Sequence, residues 1–190
     1  MEETKSNSTR QTLALMAILA CAVLRFVPHP DDFSAIFGAL IYAGWAFPKR
    51  RGLLVTLAAL ILSDLVLTPL VYHTQVGGSQ SIVWLAFLSV ACTGWLLRAK
   101  LSVRRGIVVC LLAPTLFWVI ANFGVWIAGT LYPRSWSGLI QCYAAAVPFY
   151  KHELASTILS GVVLFGLDAL FRTNKQLRTG LAKVGLVFHR

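Results

Sequence analysis

Acidic residues are scarce in this chain, seven Asp and Glu against 17 Lys and Arg in 190 residues. All charged residues together make up only 13% of it, and 57% is hydrophobic. A soluble globular domain carries roughly 25% charged residues, so a water-soluble reading is excluded on composition. Catalytic signatures are missing too. The chain has no Gly-x-Ser-x-Gly, no His-Glu-x-x-His and no Gly-x-x-x-x-Gly-Lys-Ser/Thr. Enzymatic chemistry is therefore not expected, and neither is a resident cofactor or the harvesting of nucleotide energy by this chain alone. The four cysteines, Cys21, Cys92, Cys110 and Cys142, form no CxxC pair. That pattern indicates neither a disulfide framework nor a zinc site, and buried small hydrophobes are the expectation.

What the chain does have is long apolar segments separated by short basic clusters. A spanning helix needs about 20 mostly apolar residues. Six segments qualify, at 11–27, 33–47, 52–72, 81–97, 106–131 and 154–171, and they imply a single all-α polytopic membrane domain. The second is short and needs little tilt or a locally thinned bilayer. Its small residues Ala35, Gly38, Ala39, Ala43 and Gly44 suit close helix approach, either inside the bundle or against a partner protein. A further apolar stretch, 138–150, is too short to span. It contains Gln141 and Pro148 and is expected as an interfacial helix between the fifth and sixth spans.

The basic residues orient this bundle. Fourteen of the 17 fall in four clusters on one side: Lys5 and Arg10; Lys49, Arg50 and Arg51; Arg98, Lys100, Arg104 and Arg105; and Arg172, Lys175, Arg178, Lys183 and Arg190. Lys and Arg in short loops mark the cytoplasmic face, so both termini are expected inside, in a bacterial cytoplasmic membrane. The N-terminal apolar segment lacks a small-residue cleavage site and is expected to be retained. Dispersed clusters between apolar runs do not build the solvated basic face of a nucleic-acid binder. The partner they suit is anionic lipid. The tail 172–190 places Leu177, Leu181, Val184 and Leu186 among its cations and is expected to lie along the cytoplasmic membrane surface.

Function is sought on the other face. Asp64 lies within the third span and Arg25 at the outer end of the first. A charge at such depth calls for a partner or a task, and an Arg25–Asp64 pair is geometrically feasible, either as a register lock or as part of a pocket wall. The first outer loop, Val27-Pro-His-Pro-Asp-Asp-Phe33, gathers His29, Asp31 and Asp32. These are weak candidate metal ligands, and Asp32 equally suits a helix N-cap. The loop His73–Ser81 has a Gly-Gly step and no cation, which suits a lid. Asn122 and Trp126 share a helix face, four residues apart. Roofed by Gln141 and Tyr143, they supply what a mostly apolar ligand pocket needs. Tyr132 and Trp136 also suit interface anchors.

The runs Arg25-Phe-Val-Pro-His-Pro-Asp-Asp-Phe-Ser-Ala-Ile, Leu62-Ser-Asp-Leu, Ala121-Asn-Phe-Gly-Val-Trp and Gly138-Leu-Ile-Gln-Cys-Tyr-Ala-Ala-Ala-Val-Pro-Phe resemble DUF6580, a family of small bacterial membrane proteins of unassigned function described as transport proteins. That family is similar in size and span pattern to the substrate-binding S components of energy-coupling factor (ECF) vitamin transporters. The resemblance implies six helices, an outward-facing pocket for a vitamin-like small molecule, and docking on an ECF-type coupling subunit driven by ATPases. The docking signature of S components, Ala-xxx-Ala on the first helix, is replaced here by Ala17-xxx-Cys21. His29 and Asp64 also resemble polar positions in the cobalamin-binding BtuM proteins. Those ligate cobalt through a cysteine in the third loop, where this chain has Gln75, Ser79 and Gln80 instead. The reading that follows is a substrate-binding transport protein with Arg25, His29, Asp64, Asn122, Trp126, Gln141 and Tyr143 at its ligand. The alternatives are a structural or assembly protein without a ligand and a divalent metal transporter.

Overall fold

A computed structural model describes residues 2–24, 36–70, 80–129 and 131–187. Among them the chain is helical, in the order α1 (Glu2–Leu24), α2 (Ile36–Ala46), α3 (Lys49–Leu70), α4 (Gln80–Thr93), α5 (Trp95–Arg98), α6 (Val103–Ala128), α7 (Trp136–Ala145) and α8 (Val147–Val187). The one-turn α5 continues α4 past a turn at Gly94. Among the described residues, four apolar segments are long enough to cross a membrane: Arg50–Leu70, Gln80–Arg98, Val103–Ala128 and Val147–Phe171.

The short α2 is the central post of the bundle. Helices α1, α3, α4, α6 and α8 surround it, each packed on the next and the last closing back on α1. Every residue from Ile36 to Gly44 is buried. A helix apolar on all sides is stable only where all sides are covered, so the 11-residue segment with the weakest span signal has become the core. Its small residues serve internal packing. A side chain at Gly44 would run into the Ala91 carbonyl, and one at Gly94 would run into the Ile41 carbonyl. One at Gly38 would meet Ser160 of α8, with Cβ 2.7 Å away. At the other end of α2, Phe37, Phe87 and Phe117 form an edge-to-face cluster with centroids 4.7–5.9 Å apart.

Outer surfaces carry the apolar bulk. On α8 the side chains Ile158, Leu159, Val162, Val163, Leu167 and Leu170 are exposed. Ser156, Thr157, Ser160 and Asp168 are buried on its inner face. On α3, Leu54, Leu62 and Leu65 point out while Thr56, Ser63 and Asp64 point in. Polar in and apolar out reverses the arrangement that water selects, and it is compatible with a membrane protein. Two of the inward hydroxyls bond their own helix, Thr157 to Glu153 O at 2.6 Å and Ser63 to Leu60 O at 3.0 Å, whereas the buried Thr56 hydroxyl makes no hydrogen bond among the described residues.

Several expected boundaries move. Helix α1 starts at Glu2 rather than 11, and α3 takes in the basic cluster 49–51. The expected interfacial helix 138–150 is instead α7, which stops at Ala145, so that 147–150 belongs to α8. Pro148 accounts for the shift: it lies in the first turn of α8, where an N–H has no partner within the helix, so it opens that helix rather than closing the previous one. The tail is also no separate element. Helix α8 runs unbroken for 41 residues, about 62 Å at 1.5 Å per residue, because nothing between Arg172 and Val187 is a proline.

Candidate functional site

Asp64 lies four turns from the start of α3, and its side chain is buried. Its Oδ2 accepts two short hydrogen bonds, from Gln80 Nε2 at 2.6 Å and from Trp84 Nε1 at 2.7 Å. Gln80 and Trp84 are four apart in the first turns of α4, so both reach the same face and converge on one oxygen. Charge-assisted bonds of this length hold the carboxylate firmly in a low-dielectric setting. The cluster sits towards the end of the bundle where α3 ends and α4 begins. Arg25, His29, Asp31 and Asp32, together with the expected Arg25–Asp64 pair, lie outside the described residues. Among the described residues no three His, Cys, Asp or Glu side chains gather as a metal site.

The other expected pocket residues occupy the joint between α6 and α7. Asn122 Nδ2 donates to the Trp118 carbonyl one turn back, at 2.8 Å. Trp126 Nε1 donates to Pro133 O at 3.0 Å, and the Tyr143 hydroxyl to Val119 O at 2.6 Å. Trp118 stacks edge-on against Tyr143 and donates to Ala146 O. The Trp118, Trp126 and Tyr143 donors are thus spent on backbone carbonyls that tie α7 and its connection to α6, while that of Asn122 is spent within α6. Gln141 is exposed and bonds Ser137 on its own helix. Burial pushes the Cys142 thiol up from its ordinary range. Tyr143 is also raised, first by burial and then by the neighbouring Cys142, which keeps its phenol a donor. Arg134 and Lys151 are exposed.

A second buried carboxylate lies at the opposite end of the bundle. Asp168 of α8 is 2% exposed and accepts from the Tyr42 hydroxyl at 3.1 Å, while Arg10 Nε of α1 stands 3.6 Å from the same oxygen. The Arg10 guanidinium also lies over the Trp45 ring, 4.7 Å from its centroid. Three helices are joined there through one charge. The sequence carried a signal for this, an aspartate inside an apolar run, identical in kind to the one at Asp64. Arg10, read as a topology marker, is in addition a structural partner.

Among the described residues, grooves open on the surface. One of 590 Å³ lies between α6 and α8, one of 640 Å³ beside α5 and the start of α6, and one of 280 Å³ between α1 and α8. None of them is lined by Asp64, Asn122, Trp126, Gln141 or Tyr143. Ala17 and Cys21, at the positions corresponding to the S-component docking signature, line the third.

No curated protein and no solved structure matches this chain. A family model does, over residues 5–179, which cover both carboxylate clusters and the α6–α7 joint. The chain therefore belongs to the family of unknown function DUF6580.

Proposed function

We propose that this chain is an integral protein of the bacterial cytoplasmic membrane that binds a vitamin-like small molecule at the Asp64 end of its bundle and takes part in its uptake. In this reading α1 and α2 join the four long apolar helices as spans, both termini are cytoplasmic, and α7 lies at the outer interface. The observation that carries it is Asp64 itself: a buried carboxylate within an apolar helix, oriented by Gln80 and Trp84, close in sequence to the segment 71–79, which is rich in polar residues. A buried ionisable group in a span is costly, and it is typically found where a substrate or ion must be met. No nucleotide-binding motif is present, so energy would come from an ECF-type coupling subunit with its ATPases or from an ion gradient.

The α6–α7 joint favours a second reading, a scaffold without a ligand. Asn122, Trp126 and Tyr143 spend their donors on backbone carbonyls, as packing residues do. Mass spectrometry of small molecules retained by detergent-purified protein separates the two. The transport reading expects a compound that is held by the native chain, lost in Asp64→Asn and retained in an Asn122→Ala, Trp126→Ala double variant. Equal retention by native and Asp64→Asn protein favours the scaffold.

A further inference from the structure

The 590 Å³ groove between α6 and α8 is floored by Ile41 of α2 and walled by Gly106, Cys110, Gly161 and Phe165, an almost wholly apolar lining. Its volume falls within the range of roughly 300–1,000 Å³ that holds organic ligands. Two glycines keep it open. A Cβ at Gly106 would meet nothing within 4 Å, and one at Gly161 only Cys110 Sγ at 3.8 Å. Glycine weakens a helix relative to alanine, and here no close backbone approach requires it. Ser102, at the start of α6, lines both this groove and the 640 Å³ recess, which is also walled by Trp95, Arg104 and Arg105. Arg105 is braced by the Leu96 carbonyl at 3.2 Å, while Arg104 is exposed. Arg98 and Lys100 are exposed at the same level.

We infer that this groove is a binding site for one anionic phospholipid, an acyl chain lying between α6 and α8 and the headgroup phosphate held at Ser102, Arg104 and Arg105. An apolar slot ending in cations matches the two halves of that molecule in order. A second copy of the chain fits less well, because a two-fold axis along the bilayer normal would bring the same cations together at one level. The inference rests on the reading that α6 and α8 cross a bilayer, and it is independent of any ligand at Asp64.

Native mass spectrometry of the full chain, ejected from nanodiscs of equal phosphatidylglycerol and phosphatidylcholine with matched acyl chains, tests it. The native chain should retain phosphatidylglycerol about fivefold over phosphatidylcholine, the effect expected of one cation at an anionic headgroup. Gly161→Leu, which fills the groove, should lose both lipids. Gly106→Leu is a second plug, needed if the first variant is not monodisperse. Arg104→Gln should still hold lipid but lose the preference, and Asp64→Asn should leave retention unchanged. Equal retention of the two lipids by the native chain, undiminished retention by monodisperse plugged variants, or a retained second copy in place of lipid overturns the site. Failure to enter the nanodisc overturns the membrane reading with it, whereas loss of small-molecule binding in Asp64→Asn with the lipid intact bears only on the transport site.

Discussion

Where α2 crosses α4 and α5, two backbones are separated only by the absence of side chains, so Gly44→Ala is a sensitive probe of the central post. The added methyl would enter the Ala91 carbonyl, with Gly94 Cα about 3.3 Å from it on the same side. Both neighbours are backbone, so no rotamer change relieves the contact. Opposing this, alanine gains about 1 kcal/mol of helix propensity over glycine. Overpacking a tight core costs typically 1–3 kcal/mol, and a backbone obstacle belongs at the upper end. The net expectation is a loss of about 1–2 kcal/mol, or a Tm lower by about 2–8 °C for a chain of this size. Gly166 supplies the control, because it is exposed on α8 with nothing within 4 Å of its Cβ position. Gly166→Ala should keep the propensity gain and raise Tm by about 2–4 °C. The assay is the fraction of monodisperse protein surviving a temperature series in detergent, read by size exclusion. Opposite signs are required: a Gly44→Ala variant as stable as the native chain would mean that α2 is not held against α4 at this distance, and the helix ring around it would be refuted.

Replacing Asp64 by alanine strands the Gln80 amide and the Trp84 indole, and should cost about 1–3 kcal/mol in the same assay, while Asp64→Asn, which keeps an acceptor oxygen, should cost less. At the opposite end, a double-mutant cycle of Arg10→Gln and Asp168→Asn should show a coupling of about 0.5–3 kcal/mol; additive single effects would show that the 3.6 Å approach has no energetic weight. The pKa of Tyr143 is raised in the folded chain, so its contribution is fully present below the ordinary tyrosine value near 10 and is lost as pH rises through the folded value. Tyr143→Phe should therefore flatten the alkaline decline in stability above about pH 10, and an unchanged decline would exclude its bond to Val119 as the source. Reporter fusions at Arg190 and in the segment 71–79 should mark opposite sides of the membrane if the basic clusters orient the chain as proposed.

Much of the helical layout was legible because apolar run length is a local property. The segments at 52–72, 81–97, 106–131 and 154–171 reappear as the four long apolar helices with shifted ends. Boundaries were less legible where one residue admits two roles. Pro148 is expected inside an interfacial helix 138–150, yet its missing N–H fits the first turn of α8, and packing decides where the helix begins. Among the candidate site residues, Asp64 stood out by its charge, but its partners did not. Gln80 and Trp84 converge on it only because α4 folds back along α3. Asn122 and Trp126 were correctly placed on one helix, but the carbonyls that engage them belong to Trp118 one turn away and to Pro133 in the connection to α7. Asp168 carried the same signal as Asp64. Its significance comes from Arg10 and Tyr42, which are 158 and 126 positions distant.

The sequence by itself determined that this is a helical chain with an apolar exterior, since 57% hydrophobic residues with 13% charge leave too little polar surface to face water. Only the tertiary structure decided which helix became the centre. The 11-residue α2 took that place because Gly38, Gly44 and the facing Gly94 let neighbouring backbones close around it, and the gain from close approach depends on what lies opposite, which no single segment encodes.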